Sequence, residues 1–240
     1  DRVISFGIAM PPDRPAVIGE KDARKVNDAT AALVKQAPDK VIGFMSVWPE
    51  APDALEEMER AYTDLGLRGL KLGPNYQNFE PLGENALRVY AKARELNLPI
   101  LFHQGTSPIR DAPLRYAHPL VMDEIAIRFP ELRIVMAHIG HPWEEDCIVV
   151  IRKHPHVYAD ISGRFYRPWS FHRGLHLAYE WAVMDKLFLG SDYPISMPQE
   201  VIDALRGLDD FAHKHHLPEI PRELLEQIIQ RDALALLGLD

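Results

Sequence analysis

The chain has 240 residues, 47% of them hydrophobic and 26% charged, enough to bury one large core or two small ones. Its net charge of −8 argues against nucleic-acid and anionic-membrane partners, which select basic patches, and points to small molecules as ligands. A single cysteine, Cys147, excludes an intrachain disulfide framework and a cysteine-based zinc cluster, so any metal must be held by His, Asp or Glu.

The opening "DRVISFGIAM" lacks the layout of a signal peptide, and no apolar stretch approaches the ~20 residues of a membrane span, so the default expectation is a cytoplasmic protein. "RVISF" (2 to 6) reads as the first strand and "VIGFMSV" (41 to 47) as the second. A helix follows over 52 to 65: Pro52 suits its first turn, Leu55, Met58, Tyr62 and Leu65 share one face, and Gly66 can end it. Further strands are expected at "RGLKL" (68 to 72), "PILFH" (99 to 103), "RIVMAH" (133 to 138), "VYADIS" (157 to 162) and "KLFLGSD" (186 to 192), with amphipathic segments between them. A last helix is expected over about 221 to 237, from Pro221 to a stop at Gly238.

All seven strands read as buried on both faces, the pattern of a parallel sheet covered by helices. Two architectures fit, a (β/α)8 TIM barrel short of one strand and a doubly wound open sheet; the absence of a Gly-rich phosphate loop after the first strand favours the barrel. With no linker, low-complexity tract or change of composition, residues 1–240 read as a single domain.

In a barrel the active site lies where the strands end, so polar residues closing apolar strands are the ones to weigh. "PILFHQG" closes on His103, "RIVMAHIGHP" on His138 and "KLFLGSDYP" on Asp192. Each alone is more often a hydrogen-bonded structural residue or a cap. Together, two imidazoles and a carboxylate supply the N and O donors that a borderline divalent ion prefers, and the carboxylate can act as a base. His141, beyond Gly140, reads as a loop residue at the start of the next helix.

With these residues in view, the chain resembles the amidohydrolase-2 branch of the amidohydrolase superfamily, metal-dependent TIM-barrel hydrolases and decarboxylases. The motifs are "GLRGLKLGPNYQNFEP" (66 to 81), "LPILFHQG" (98 to 105), "FPELRIVMAHIGHPW" (129 to 143), "HVYADISG" (156 to 163), "LFLGSDYP" (187 to 194) and "QRDALALLGL" (230 to 239). The resemblance implies that His103 is a metal ligand, that Asp192 binds metal and shuttles a proton, and that His138 polarises or protonates substrate. It also implies one divalent metal, zinc first and manganese second, and dimers or higher assemblies. The family's His-x-His pair at the end of its first strand has no counterpart here, so the expectation is a chain that begins at the family's second strand. Lys71 lies where some superfamily members carry a carboxylated lysine, but its context points to an ion pair or a substrate contact instead.

Asp160 in "YADISG" is balanced between hydrogen bonding within the barrel and support of the site, and Arg164, Tyr166 and Arg167 could clamp a substrate carboxylate or simply line a solvated loop. Trp48 and Trp143 could wall the pocket or merely fill space. "HKHH" (213 to 216) falls near a helix end, where cations suit the dipole, and is taken as a surface feature. The leading expectation is hydrolysis by metal-activated water, with Asp192 taking the proton and His138 stabilising the oxyanion. The alternatives are non-oxidative decarboxylation of an aromatic or unsaturated acid, a metal-free lactonase, and a non-catalytic scaffold barrel.

Overall fold

The computed structural model describes residues 2–14 and 19–239. Its strands are β1 (Val3–Phe6), β2 (Val41–Phe44), β3 (Leu70–Leu72), β4 (Ile100–Phe102), β5 (Ile134–Met136), β6 (Val157–Asp160) and β7 (Leu187–Phe188), each shorter than the apolar run that predicts it. All pairings are parallel, β1 with β2 in one sheet and β3 through β7 in another. A bridge from Met45 to Leu70 joins the two sheets, so spatial order follows sequence order without reversal. A doubly wound sheet would reverse at a switch point; unidirectional winding belongs to a barrel.

Curvature shows in which residues meet. Leu70, Leu72, Ile100, Phe102, Ile134, Met136, Val157, Ala159 and Leu187 pack outward into one core with helix residues such as Met58, Val89, Ile125 and Ile148. The alternate strand positions form a second, inner cluster of Val135, Tyr158 and Phe188, joined by Leu101, by Ile4 from β1 and by Leu237 near the C-terminus. Ile4 reaches side chains from β4 to β7 only because the sheet curls around them.

Two expectations change. β1 is not buried on both faces: Val3 is 51% and Phe6 38% exposed, and among the described residues no ladder joins β1 to β7. The terminal helix is two helices, Arg222–Gln230 and Ala233–Leu237. Asp232 accepts a hydrogen bond from the Ala235 N–H and restarts the helix, while the Arg231 guanidinium donates to the carbonyls of Leu187 and Met184. The helix expected over 52 to 65 spans Ala54–Thr63. Gly66 has φ +70° just beyond it, and Gly238 caps the last helix in the left-handed conformation.

Gln77 holds the mouth together at the ends of β1, β2 and β3. Its Nε2 donates to the carbonyls of Ala9 (2.6 Å) and Val47 (2.8 Å), and its Oε1 accepts from Gly73 N–H (2.9 Å). No helix among the described residues is long and apolar enough to cross a membrane.

Candidate active site at the strand ends

Strand alternation explains why the polar residues gather. Lys71, Leu101, Val135 and Tyr158 are in register across β3 to β6, and Leu101, Val135 and Tyr158 belong to or border the inner cluster. Two positions further along, His103 and Asp160 keep the inward direction, one layer closer to the mouth.

His138 and Asp192 enter by a different route. Residues 138 to 140 turn sharply after β5, with φ of +60° at His138, +48° at Ile139 and +66° at Gly140, and Asp192 after β7 also has φ +60°. Non-glycine residues rarely take this conformation, and a β-branched one is a real outlier. The turn is held by Asp160, whose Oδ1 accepts from His138 N–H (3.1 Å) and from Ser162 N–H (2.9 Å). Ser162 Oγ also donates to Asp160 and lies 2.9 Å from His138 Nδ1, while the Ser162 carbonyl is 3.2 Å from the same nitrogen.

The rings of His103 and His138 lie 5.1 Å apart centroid to centroid, and Tyr76 tilts against His103 at 4.3 Å. Gly163, with φ +63°, fits between His138 and Asp192: a Cβ there would stand 3.2 Å from His138 Nδ1 and 3.4 Å from Asp192 Oδ2. The site thus joins His103, His138, Asp192, Lys71 and Asp160. Ser162, Gly163 and Tyr76 complete it; the polar run directly after β6 was the available signal for the first two.

The charges are poorly solvated. Lys71 is 4% exposed, with its ammonium 4.9 Å from the Phe6 ring centroid and no ion-pair partner among the described residues. Burial lowers its pKa to about 8, against the pull of Asp160 and Asp192. Burial, then the charges of His138 and Lys71, hold His103 well below the usual imidazole range, against a hydrogen bond with the Thr106 backbone. His103 is therefore a neutral imidazole, the form that binds metals. Asp192 stands at the solvent edge but is ringed by protein atoms, and this burial raises its pKa; Asp160 adds to the rise, while His138 and Lys71 oppose it.

The remaining predicted residues are dispersed. Arg164 is turned inward, its Nη2 donating to Glu144 Oε1 at 2.8 Å and to Ser170. Its Nη2 is therefore committed to Glu144 and Ser170, while its buried Nε and Nη1 have no hydrogen-bond partner among the described residues. Glu144, fully buried, also binds Arg173 Nη2 (2.7 Å) and His141 Nδ1 (2.9 Å). His141 thus has a buried anchor that its loop position did not suggest. Tyr166 is 50% exposed beside Arg167, Trp143 tilts against His118 with centroids 4.7 Å apart, and Trp48 Nε1 donates to the Gln77 carbonyl. In "HKHH", residues 213, 215 and 216 are exposed at the end of the helix Leu208–Lys214.

For a metal, the relevant observation is His103 Nε2, fully buried and without a hydrogen-bond partner among the described residues. An orphaned imidazole nitrogen in a low-dielectric mouth suits a divalent cation. Among the described residues no cluster of three or more His, Cys, Asp or Glu side chains could hold one, so His103 and Asp192 would share it with substrate or solvent.

Comparison with known proteins agrees with this architecture. The family Amidohydro_2, described as amidohydrolase, matches residues 3–239. A γ-resorcylate decarboxylase of Rhodococcus jostii is 26% identical over 147 residues, which is 49% of this chain and 45% of that enzyme, so the match spans less than half of the relative's length. An uncharacterized TIM-barrel protein of Bordetella bronchiseptica superposes with a TM-score of 0.74 at 23% identity, over 99% of this chain and 78% of that one. A dihydroxybenzoic acid decarboxylase of Polaromonas sp. JS666, crystallised with manganese and the inhibitor 2-nitroresorcinol, superposes with a TM-score of 0.67 at 18% identity, over 91% and 75%. These likenesses establish the TIM-barrel fold.

Proposed function

We propose, from the premise that this chain belongs to the Amidohydro_2 family of amidohydrolases, that it removes CO2 from a small aromatic or unsaturated carboxylic acid with the help of a divalent metal. The observation that carries the proposal is Lys71. A buried ammonium with no ion-pair partner among the described residues is costly, and an anionic substrate offsets that cost in a way that a neutral amide or lactone cannot. The likeness to γ-resorcylate decarboxylase supports the same substrate class and favours decarboxylation over the hydrolysis that the residues alone suggested.

In this reading Lys71 fixes the substrate carboxylate at the floor of the mouth. His103 and Asp192 would hold the divalent cation, which supplies positive charge to the oxygens of the acid. His138 Nε2 carries the proton to the carbon that bears the carboxylate. As that C–C bond breaks, its electron pair takes the proton and CO2 departs, so atoms and charge balance without an oxidant. Asp192 stands across Gly163 from His138. Burial of His103, Lys71 and Ser162 keeps bulk water from the floor of the mouth, while Asp192 stands at its solvent edge.

The test is incubation of the manganese-loaded and zinc-loaded protein with 2,6-dihydroxybenzoate and its isomers, with CO2 measured in the headspace. Metal-dependent CO2 release is expected. Hydrolysis of lactones or amides, with no CO2 from any acid, would return the site to the hydrolytic reading.

A further inference from the structure

We propose that Asp160 and Ser162 are positioning residues that lock His138 as its Nδ1–H tautomer and aim Nε2 into the mouth. The argument is one of donors and acceptors. The Ser162 carbonyl, 3.2 Å from His138 Nδ1, can only accept, so the nitrogen facing it must carry the proton. The Ser162 hydroxyl spends its own proton on Asp160 Oδ1, which leaves its lone pairs for the same Nδ1–H at 2.9 Å. Two acceptors converge on Nδ1, and neither offers a proton in return. A neutral ring must then have its lone pair on Nε2, which has no protein partner among the described residues.

Asp160 does more than orient the hydroxyl. Its Oδ1 also takes the backbone N–H of His138 and of Ser162, so one carboxylate oxygen fixes the strained turn that carries His138 and the loop that reads its ring. Backbone and side chain of His138 are thus set by one oxygen on the neighbouring strand. A ring free to swap tautomers would spend part of its time with Nε2–H and Nδ1 bare, unable to take up a proton on the side that faces substrate. Supporting hydrogen bonds of this kind typically matter about 10–100-fold for activity.

That Nε2 faces the reacting carbon rests on the proposed decarboxylation; the tautomer does not. The experiment is two-bond 15N–1H correlation spectroscopy of the zinc-supplemented full chain labelled with 15N-imidazole histidine, with a His138→Gln variant to identify the His138 signals. The wild-type ring is expected as Nδ1–H. In Ser162→Ala, which keeps the carbonyl acceptor but loses the hydroxyl, the Nε2–H form should appear beside Nδ1–H, and kcat for the decarboxylated acid should fall up to about tenfold with KM within about twofold. Ser162→Thr, which keeps a hydroxyl, should restore both. An Nε2–H wild-type ring overturns the proposal whichever variants fold, as does a Ser162→Ala protein with unchanged tautomer and unchanged kcat. An Nδ1–H ring in a protein that decarboxylates nothing would sink the proposed activity and leave the positioning intact.

Discussion

Substituting Gly163 by Ala separates backbone strain from site geometry. Gly163 has φ +63°, and an L-residue held in that conformation pays roughly 1–2 kcal/mol. For a domain of this size that lowers Tm by about 2–8 °C. The added Cβ would also sit 3.2 Å from His138 Nδ1 and 3.4 Å from Asp192 Oδ2, so one of the two must retreat by a few tenths of an ångström. If a 1 Å misplacement costs about 10²-fold, a shift of about 0.3 Å costs roughly fourfold in kcat. Gly66→Ala is the control, because φ there is +70° but nothing lies within 4 Å of the new Cβ. Thermal melts and decarboxylation rates of both variants should show a similar loss of Tm, with a loss of rate only in Gly163→Ala. A Gly163→Ala protein that melts lower yet keeps the full rate would refute the placement of His138 and Asp192 against that glycine.

Three further outcomes follow from the same contacts. Lys71→Met should raise KM for an acid substrate severalfold while leaving stability at neutral pH equal or higher, because a buried unpaired charge is removed. The pH dependence has a definite sign: folded Lys71 releases its proton near pH 8 and the unfolded chain near 10.5, so the unfolded state binds more protons in between. The stability deficit of the wild type relative to Lys71→Met should therefore be fully present below pH 8 and shrink as pH rises through that window, measured by urea unfolding of the chelated proteins. Glu144→Ala, which leaves Arg164 buried without its partner, should cost about 3–5 kcal/mol and lower Tm by at least ~6 °C, whereas Arg173→Ala at the half-exposed end should cost no more than about 1 kcal/mol. Bound manganese, by elemental mass spectrometry, should fall severalfold in His103→Gln and in Asp192→Asn but remain in Tyr166→Phe; retention in both of the first two would remove these residues as ligands.

Fold and site differed in how readable they were. The apolar runs from "RGLKL" to "VYADIS" each produced a parallel strand because residues buried on both faces leave little else for a short run to be. β1 escaped that logic: "RVISF" has the same composition, but its burial depends on what neighbours it, which no local pattern records. The break at Arg231 in the terminal helix was likewise tertiary, driven by carbonyls of residues 184 and 187 far away in the chain. Among site residues, His103 was legible because strand period two carries it inward. Arg164 was not, because whether a guanidinium after a strand faces substrate or a buried carboxylate depends on Glu144, twenty residues earlier.

The same limit explains why Ser162 and Gly163 are hard to read as site residues from "HVYADISG" alone. Their role follows from the turns at His138 and Asp192, whose left-handed backbones are invisible to composition and periodicity. Each such residue costs of order 1–3 kcal/mol and persists only when its surroundings over-determine it. Around His138 that surrounding is Asp160, which satisfies the His138 and Ser162 backbone N–H groups and the Ser162 hydroxyl at once. Two of the three strained non-glycine residues on these strand ends, His138 and Asp192, are those the proposed chemistry needs, and Ile139 packs into the helix-layer core. The strain is therefore concentrated where side chains must leave a strand end at an angle that regular extended backbone cannot supply, and Asp160 is the group whose loss should release it.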